Sequence, residues 1–172
     1  IEKGEPKSCN IVTSCEGKGK TFIMFSDDLD KALATFVLAN GAAATGQKVT
    51  IFFTFWGLNV IKKLHKPNVE KDIFGKMFGM MLPSSSRKLK LSKMSMGGIG
   101  GKMMRYIMNR KGIDSLESLR QQALENGVEF IACQMSMDVM GVKQEELLDE
   151  VTIGGVATYM ERADNANINL FI

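Results

Sequence analysis

Short apolar runs alternate with amphipathic segments along the chain from residue 20 onward. Residues 20–26, 48–55 and 128–133 are dense in β-forming side chains and predict strands. The run at 48–55 is apolar at nearly every position, which is typical of a strand covered on both faces of a parallel sheet. Between the runs, residues 29–46 and 114–127 carry apolar stripes at helical spacing and end at glycines, so both predict helices.

The same alternation continues to the last residue. It predicts a short helix at 143–150, a fourth strand at 151–155, a helix at 156–166 and a closing strand at 168–172. Repeated strand–helix units form parallel sheets with right-handed crossovers. We therefore expect an α/β fold, a flavodoxin-like three-layer sandwich whose five-stranded, mostly parallel sheet has the order 2-1-3-4-5 and helices on both faces.

The length of 172 residues fits one domain with a sizeable core. We expect a polar leader or linker at 1–19 and a single domain at 20–172, interrupted by a basic, methionine-rich insertion at about 65–112. No apolar stretch approaches the ~18 residues that would span a bilayer. The three cysteines form an odd set without CxxC spacing, which favours reduced thiols and a cytoplasmic location.

The insertion carries most of the unbalanced charge. Residues 62–112 hold 13 Lys and Arg against only Glu70 and Asp72, and eight of the 13 methionines lie between Met77 and Met108. A basic amphipathic helix is predicted after "GGIGG", and we interpret Met103, Tyr106 and Met108 as a partner surface, with Ile99 and Ile107 on the same helical stripe. An oligomer interface is the competing interpretation, membrane-surface contact is a weaker one, and no nucleic-acid motif is present.

Ligands of open α/β sheets bind beyond the carboxyl ends of the strands, where the strand order reverses. In the expected order that point lies between the first and third strands. The candidate pocket residues after these two strands are Ser26, Asp27, Cys133, Gln134 and Met135, with Trp56 after the second strand and Gly154 after the fourth as neighbours. A helical turn after Cys133 would favour its thiolate and make it a nucleophile. A cysteine that simply packs in the core is the alternative, and capping of the first helix is the simpler role for Asp27 and Asp28.

Phosphate-loop and metal chemistry find no support in the sequence. "EGKGKT" at 16–21 and "GGIGGK" at 97–102 lack the spacing and the strand–loop–helix context of a phosphate loop. The single histidine, His65, has no neighbouring ligands. We therefore expect no metal and no cofactor.

Three segments together resemble the DsrE/DsrF/DsrH-like family: "FIACQMSMDVMGV", the opening "KTFIMFSDDLDKALATFVLANGAAATGQKVTIFFTFWGL", and the closing "VTIGGVATYMERADNANINLFI". The resemblance is strongest to its DsrE-like sulfur-relay and peroxiredoxin-like accessory branch. It implies a small, usually oligomeric α/β protein in which Cys133 holds a persulfide or thiosulfate sulfur. The partners it implies are TusA-like or rhodanese-like sulfur carriers or a CoA-disulfide reductase-like flavoprotein.

Three functional hypotheses follow. The first is a sulfur carrier or sulfurtransferase that accepts sulfane sulfur on Cys133 and passes it to a partner protein, with or without turnover as an enzyme. The second is a non-catalytic oligomeric adaptor that uses the basic, methionine-rich insertion to bind a redox enzyme or a membrane surface. A thiol peroxidase is the third, but the sequence shows no Thr–Arg pair placed like a peroxidatic site.

Overall fold

A computed structural model of the chain describes residues 19–64, 77, 82–93 and 98–172. The predicted leader with Cys9 and Cys15, His65, and much of the insertion lie outside these residues. Five strands form one sheet: β1 (Gly19–Met24), β2 (Val49–Phe53), β3 (Glu129–Cys133), β4 (Thr152–Gly154) and β5 (Ala166–Phe171). All four strand pairings are parallel, which confirms the expected α/β sheet.

Five α-helices are described: α1 (Leu29–Ala44), α2 (Ile99–Arg110), α3 (Leu116–Glu125), α4 (Gln134–Met140) and α5 (Val156–Asp164). Three 3-10 segments join them, at Phe55–Ile61, Ser86–Lys88 and Gln144–Glu146. The last of these stands where the sequence predicted a short α-helix at 143–150, so that prediction is wrong in type. In the described ranges, no helix combines the length and the apolar character needed to cross a bilayer.

The strand order is β4-β3-β2-β1-β5, not the expected 2-1-3-4-5. β2 bonds directly to β3, so the chain steps in one direction from β1 to β4, and β5 then returns to pair with β1. The reversal therefore lies between β1 and β5. Periodicity in a sequence reveals which face of a strand is apolar, but it does not say on which side of its predecessor the next strand pairs.

Each face of the sheet carries an apolar cluster. On one face, α1 and α3 cover the larger cluster, in which the ring centroids of Phe53 and Phe130 lie 5.3 Å apart and Phe36 lies 5.8 Å from Phe130. All three rings are buried, and burying such a side chain stabilises the fold by roughly 1.5–3 kcal/mol. On the opposite face, α5 packs over a smaller cluster that contains Cys133. Helices therefore cover both faces of the sheet, as expected.

Helix boundaries follow local chemistry. Ser115 caps the start of α3, and its hydroxyl accepts a hydrogen bond from the Ser118 amide at 3.1 Å. Gly141 ends α4 in the left-handed region, at a φ of 61°, where glycine avoids the steric cost of a side chain. α1 follows the carboxyl end of β1, so its start lies at the same edge of the parallel sheet as the end of β3.

Candidate functional site at the end of the third strand

Cys133 is the last residue of β3 and directly precedes α4. The helical turn that the sequence suggested after the cysteine is present, but the thiol makes no hydrogen bond to the first turn of α4. Its side chain is 2% exposed and packs instead with Phe52, Ile131 and Tyr159. The thiol therefore lies in an apolar cluster and does not cap α4.

Strand periodicity determines which way the thiol points. Phe130 and Ala132 lie in the cluster beneath α1 and α3, whereas Ile131 and Cys133 lie in the cluster beneath α5. Tyr159 of α5 closes this smaller cluster, and its ring centroid lies 5.2 Å from that of Phe52. The surroundings of Cys133 are consequently the β3 face and one side of α5.

Gly154 lies beside Cys133 in the parallel register of β3 and β4. A Cβ at this position would come within 2.9 Å of Cγ2 of Ile131 and 3.4 Å of Thr158, so only glycine lets the start of α5 approach β3 this closely. The next residue, Gly155, is the N-cap of α5 and provides no side-chain cap for the helix. Its exposed first turn, with uncapped N–H groups, therefore begins at the same sheet edge as Cys133.

The polar residues after Cys133 have structural partners. Gln134 donates from Nε2 to Oδ1 of Asp138 at 3.0 Å, and Met135 is 55% exposed. Ser136 is fully buried, and its hydroxyl lies 2.8 Å from Oγ1 of Thr54, which ties α4 to the end of β2. Sequence reasoning missed this hydroxyl pair, because neither residue stands out in an apolar run.

The methionines after Cys133 do not line the thiol. Met137 and Met140 are buried in the cluster beneath α1 and α3, on the opposite face of the sheet. Aromatic and aliphatic side chains surround the sulfur instead.

The residues after β1 form a separate polar group. Ser26 donates from its hydroxyl to Oδ2 of Asp28 at 2.8 Å, and Lys31 pairs with the same carboxylate oxygen at 2.8 Å. Asp28 occupies the N-cap position of α1 but makes no side-chain cap hydrogen bond, so the predicted capping role is not realised. No described contact joins Ser26 to Cys133.

Asp27 pairs with an amide rather than with the start of the helix. Asn59 donates from Nδ2 to Oδ2 of Asp27 at 2.9 Å, and burial raises the pKa of Asp27. Asn59 itself is fully buried, and its Oδ1 has no hydrogen-bond partner. No sequence pattern pointed to Asn59, since the 3-10 segment that contains it lacks a regular polar pattern.

Trp56 lies in that 3-10 segment and is 42% exposed. The segment packs tightly on β1, because a Cβ on Gly57 would come within 2.0 Å of the Met24 carbonyl oxygen. Trp56 and Asp27 thus follow strands that end at the same sheet edge as Cys133, but no described contact joins either of them to the cysteine. The predicted pocket residues therefore lie along one edge of the sheet, but the described contacts do not bring them together around Cys133.

The predicted partner surface is largely exposed on α2. Ile99, Met103, Tyr106 and Ile107 are exposed by 65%, 48%, 64% and 40%, and they form one stripe along the helix. Met108 is 7% exposed and lies on the buried side, because nine residues at 100° each place it half a turn from Ile99. The apolar stripe is therefore the four exposed residues, without Met108.

One ion pair fastens α5 to the sheet. Arg162 contacts both carboxylate oxygens of Glu129, Nε at 2.9 Å from Oε2 and Nη2 at 3.2 Å from Oε1. Thr50 also donates to Oε2 at 2.9 Å. Hydrogen bonds from Arg162 hold the pKa of Glu129 below its ordinary value. The C-terminal half of α5 is thereby anchored at the start of β3, far along the strand from Cys133.

Among the described residues, no group of three or more His, Cys, Asp and Glu side chains could hold a metal ion. His65 lies outside the described residues. Cys133 is the one cysteine in the described part of the chain. The reactive group at the described carboxyl edge of the sheet is therefore the single thiol of Cys133.

Comparisons with known proteins give a consistent family. The sequence profile of the DsrE/DsrF/DrsH-like family matches residues 17–171. The chain is 44% identical over 155 residues to the uncharacterized protein YrkE of Bacillus subtilis (strain 168), covering 90% of this chain and 97% of that protein. It is 38% identical over 161 residues to the sulfur carrier protein DsrE2 of Allochromatium vinosum, covering 91% and 99% respectively.

A solved structure supports the fold. The crystal structure of the ychN protein from E. coli superposes with a TM-score of 0.53 at 11% sequence identity, covering 90% of this chain and 99% of that one. At this identity the likeness concerns the fold alone. The profile match and the two relatives, each covering nearly the whole chain, show that this protein belongs to the DsrE/DsrF/DrsH-like family.

Proposed function

We propose that this protein is a sulfur carrier that holds sulfane sulfur on Cys133 and passes it to a partner protein. A relative with 38% identity is named a sulfur carrier protein, and the family match covers residues 17–171. The observation that carries the assignment to Cys133 is its position: the thiol ends β3 at the carboxyl edge, beside Gly154 and the uncapped start of α5. Ligands of open parallel sheets bind beyond the carboxyl edge, but the strand order reverses between β1 and β5, so the expectation that Cys133 lies at the reversal is wrong.

The chemistry needs one thiolate and a sulfur donor. The thiol of Cys133 loses its proton to solvent, and the resulting thiolate attacks the outer sulfur of thiosulfate. The S–S bond of thiosulfate breaks, and sulfite leaves with the bonding electron pair, so that Cys133 becomes a persulfide. A thiolate of the partner then attacks the outer sulfur of the persulfide, and Cys133 leaves as the thiolate. No external oxidant or reductant is consumed.

Access to the sulfur depends on α5. Cys133 is 2% exposed, and Tyr159 is the one buried residue of α5. A helix of nine residues with a single buried anchor has few apolar contacts to lose when it moves. Sulfur transfer on Cys133 therefore requires that the first turn of α5 separate from β3, either spontaneously or on binding a partner.

The docking surface proposed for that partner is the apolar stripe of α2. Its four exposed apolar residues lie among Lys102, Arg110 and Lys111, which are also exposed. The described parts of 82–112 contain eight Lys and Arg and no Asp or Glu. Apolar anchors within a basic field suit an acidic sulfur-relay protein, such as a TusA-like or rhodanese-like carrier.

Mass spectrometry of the intact protein tests the carrier function. After incubation with thiosulfate or polysulfide, we expect an adduct of one sulfur atom that dithiothreitol removes and that Cys133→Ser abolishes. The matched control is the Cys9→Ser/Cys15→Ser variant, which should retain the adduct. Retention of the adduct by Cys133→Ser, or its loss only from the leader variant, would assign the sulfur elsewhere.

The burial of Cys133 and the exposure of the α2 stripe favour one alternative, an adaptor that binds a redox enzyme without carrying sulfur. The two functions separate in a binding assay. An adaptor loses its partner in Met103→Glu and Tyr106→Glu and binds normally in Cys133→Ser, with no sulfur adduct in the wild type. A carrier shows the adduct and transfers it to the partner, and Cys133→Ser stops the transfer.

A further inference from the structure

A cavity of about 720 Å³ lies at the carboxyl edge of the sheet, on the face opposite the thiol of Cys133. We call it the edge cavity. The first residues of α1 and α3, Leu29 and Leu116, both line it. Its volume falls within the roughly 300–1,000 Å³ that is usual for small-molecule sites.

The deep wall of the edge cavity is apolar. Leu29 and Leu116 are fully buried, and Met108 is 7% exposed. Ile113, at 52% exposed, adds apolar surface nearer the opening. Because Leu29 and Leu116 have no exposed surface, an organic ligand would cover mainly the exposed apolar surface of Ile113 and the small exposed part of Met108.

One side of the edge cavity is held in place by a hydrogen-bonded group. Arg105 contacts Oε2 of Glu117 from Nη1 at 3.2 Å and donates from Nη2 to the Ser86 carbonyl oxygen at 3.0 Å. Ser86 donates from its hydroxyl to Oε1 of Glu117 at 3.0 Å. These bonds join α2, α3 and the 3-10 segment at Ser86–Lys88. They also neutralise Glu117 within the protein.

Asp114, the second carboxylate of the cavity, is also engaged. It accepts hydrogen bonds from Oγ of Ser118 at 3.0 Å and from Nε2 of Gln122 at 3.1 Å. Neither carboxylate is therefore left facing the cavity without a donor.

Asp114 keeps its negative charge, because both of its hydrogen-bond donors are neutral. Arg87 is the lining cation without a partner among the described residues. Its side chain is exposed, and it makes no ion pair or hydrogen bond with another described residue. The surrounding segment is basic throughout its described parts, and the start of α3 contributes a further partial positive charge. A guanidinium in this setting favours a carboxylate, sulfonate or phosphate group.

We propose that the edge cavity binds an amphipathic organic anion, with its charged head group at Arg87 and its apolar part against Met108 and Ile113. The site is independent of the sulfur chemistry proposed for Cys133, since the two lie on opposite faces of the sheet. Carboxylate, sulfonate and phosphate head groups share the chemistry that Arg87 recognises.

Titration with 8-anilinonaphthalene-1-sulfonate tests the site, because this probe carries one sulfonate on an aromatic body. We expect saturable fluorescence enhancement and amide shifts at Ile113, Ser115 and Leu116 in NMR spectra. Arg87→Ala should weaken binding about tenfold, as expected for loss of a charged hydrogen bond, and Arg87→Lys should restore part of it. Lys93→Ala, which removes an exposed cation outside the cavity, should leave the affinity within about twofold.

The apolar stripe of α2 is the competing site for such a probe. If Tyr106→Ala removes the enhancement while Arg87→Ala leaves it unchanged, the probe binds the stripe and the proposed site is wrong. An absence of saturable binding would also overturn it. Cys133→Ser should bind the probe like the wild type, so failure of the carrier function and failure of this site give different results.

Discussion

Tyr159→Ala should weaken the contact between α5 and the sheet and expose Cys133. The ring is 7% exposed, its centroid lies 5.2 Å from that of Phe52, and its hydroxyl lies 3.3 Å from Oγ1 of Thr21. Removing a buried aromatic side chain typically costs 3–5 kcal/mol. Because α5 is short and its outer side faces solvent, we expect the lower end, about 3 kcal/mol of the free energy of unfolding.

The same substitution should accelerate modification of the thiol. If Cys133 is reached only when α5 separates from β3, a loss of about 3 kcal/mol from that contact raises the open population about 100-fold. The assay measures the rate of reaction with Ellman's reagent under native conditions. The Cys9→Ser/Cys15→Ser background leaves Cys133 as the one thiol that can react. Tyr159→Phe keeps the ring packing and should change the rate little.

Phe36→Ala is the matched control for this experiment. It removes a buried aromatic ring from the opposite face of the sheet, so it lowers global stability without touching the cluster around Cys133. Equal acceleration in Phe36→Ala and Tyr159→Ala would mean that the thiol is reached by global unfolding. A destabilised Tyr159→Ala with an unchanged thiol rate would refute the reasoning, because α5 would then not cover the sulfur.

Three further predictions concern stability and assembly. Glu129 has a lowered pKa in the folded protein, so its contribution to the free energy of unfolding is complete above its unfolded pKa and is lost as the pH falls through its folded pKa. Glu129→Gln removes this contribution, so Tm should depend less on pH on the acid side. Gly57→Ala should destabilise the protein by about 3 kcal/mol or prevent folding, as urea denaturation would show, because its Cβ would overlap the Met24 carbonyl. Ile168 and Leu170 are exposed on one face of β5, so if this face joins two copies of the chain, Leu170→Glu should reduce the mass measured by light scattering.

The sheet could be predicted from local pattern because each strand carries its own signal. Every residue of β2 is buried, as its continuous apolar run indicated, and α1 and α5 lie where helical spacing placed them. Strand order could not be obtained in this way. The pairing of β2 with β3 and of β5 with β1 depends on the direction of each crossover, and residue spacing does not encode that direction.

The candidate site was predictable only in part. The end of β3 follows from the sequence, and strand periodicity even requires that Cys133 share a face with Ile131. That Tyr159 covers this face depends on how α5 crosses the sheet, which is a tertiary property. The hydrogen bond between Asp27 and Asn59 likewise joins segments that are distant in the sequence, and no local pattern at either residue predicts it.

The modification state of Cys133 in protein purified from cells without reductant tests the carrier function most directly. Intact-mass and peptide mass spectrometry should find part of the protein with one additional sulfur on the Cys133 peptide, removable by dithiothreitol and absent from Cys133→Ser. A Cys133 peptide that is a plain thiol throughout, and that stays so after exposure to thiosulfate and polysulfide in the presence of the partner protein, would contradict the function.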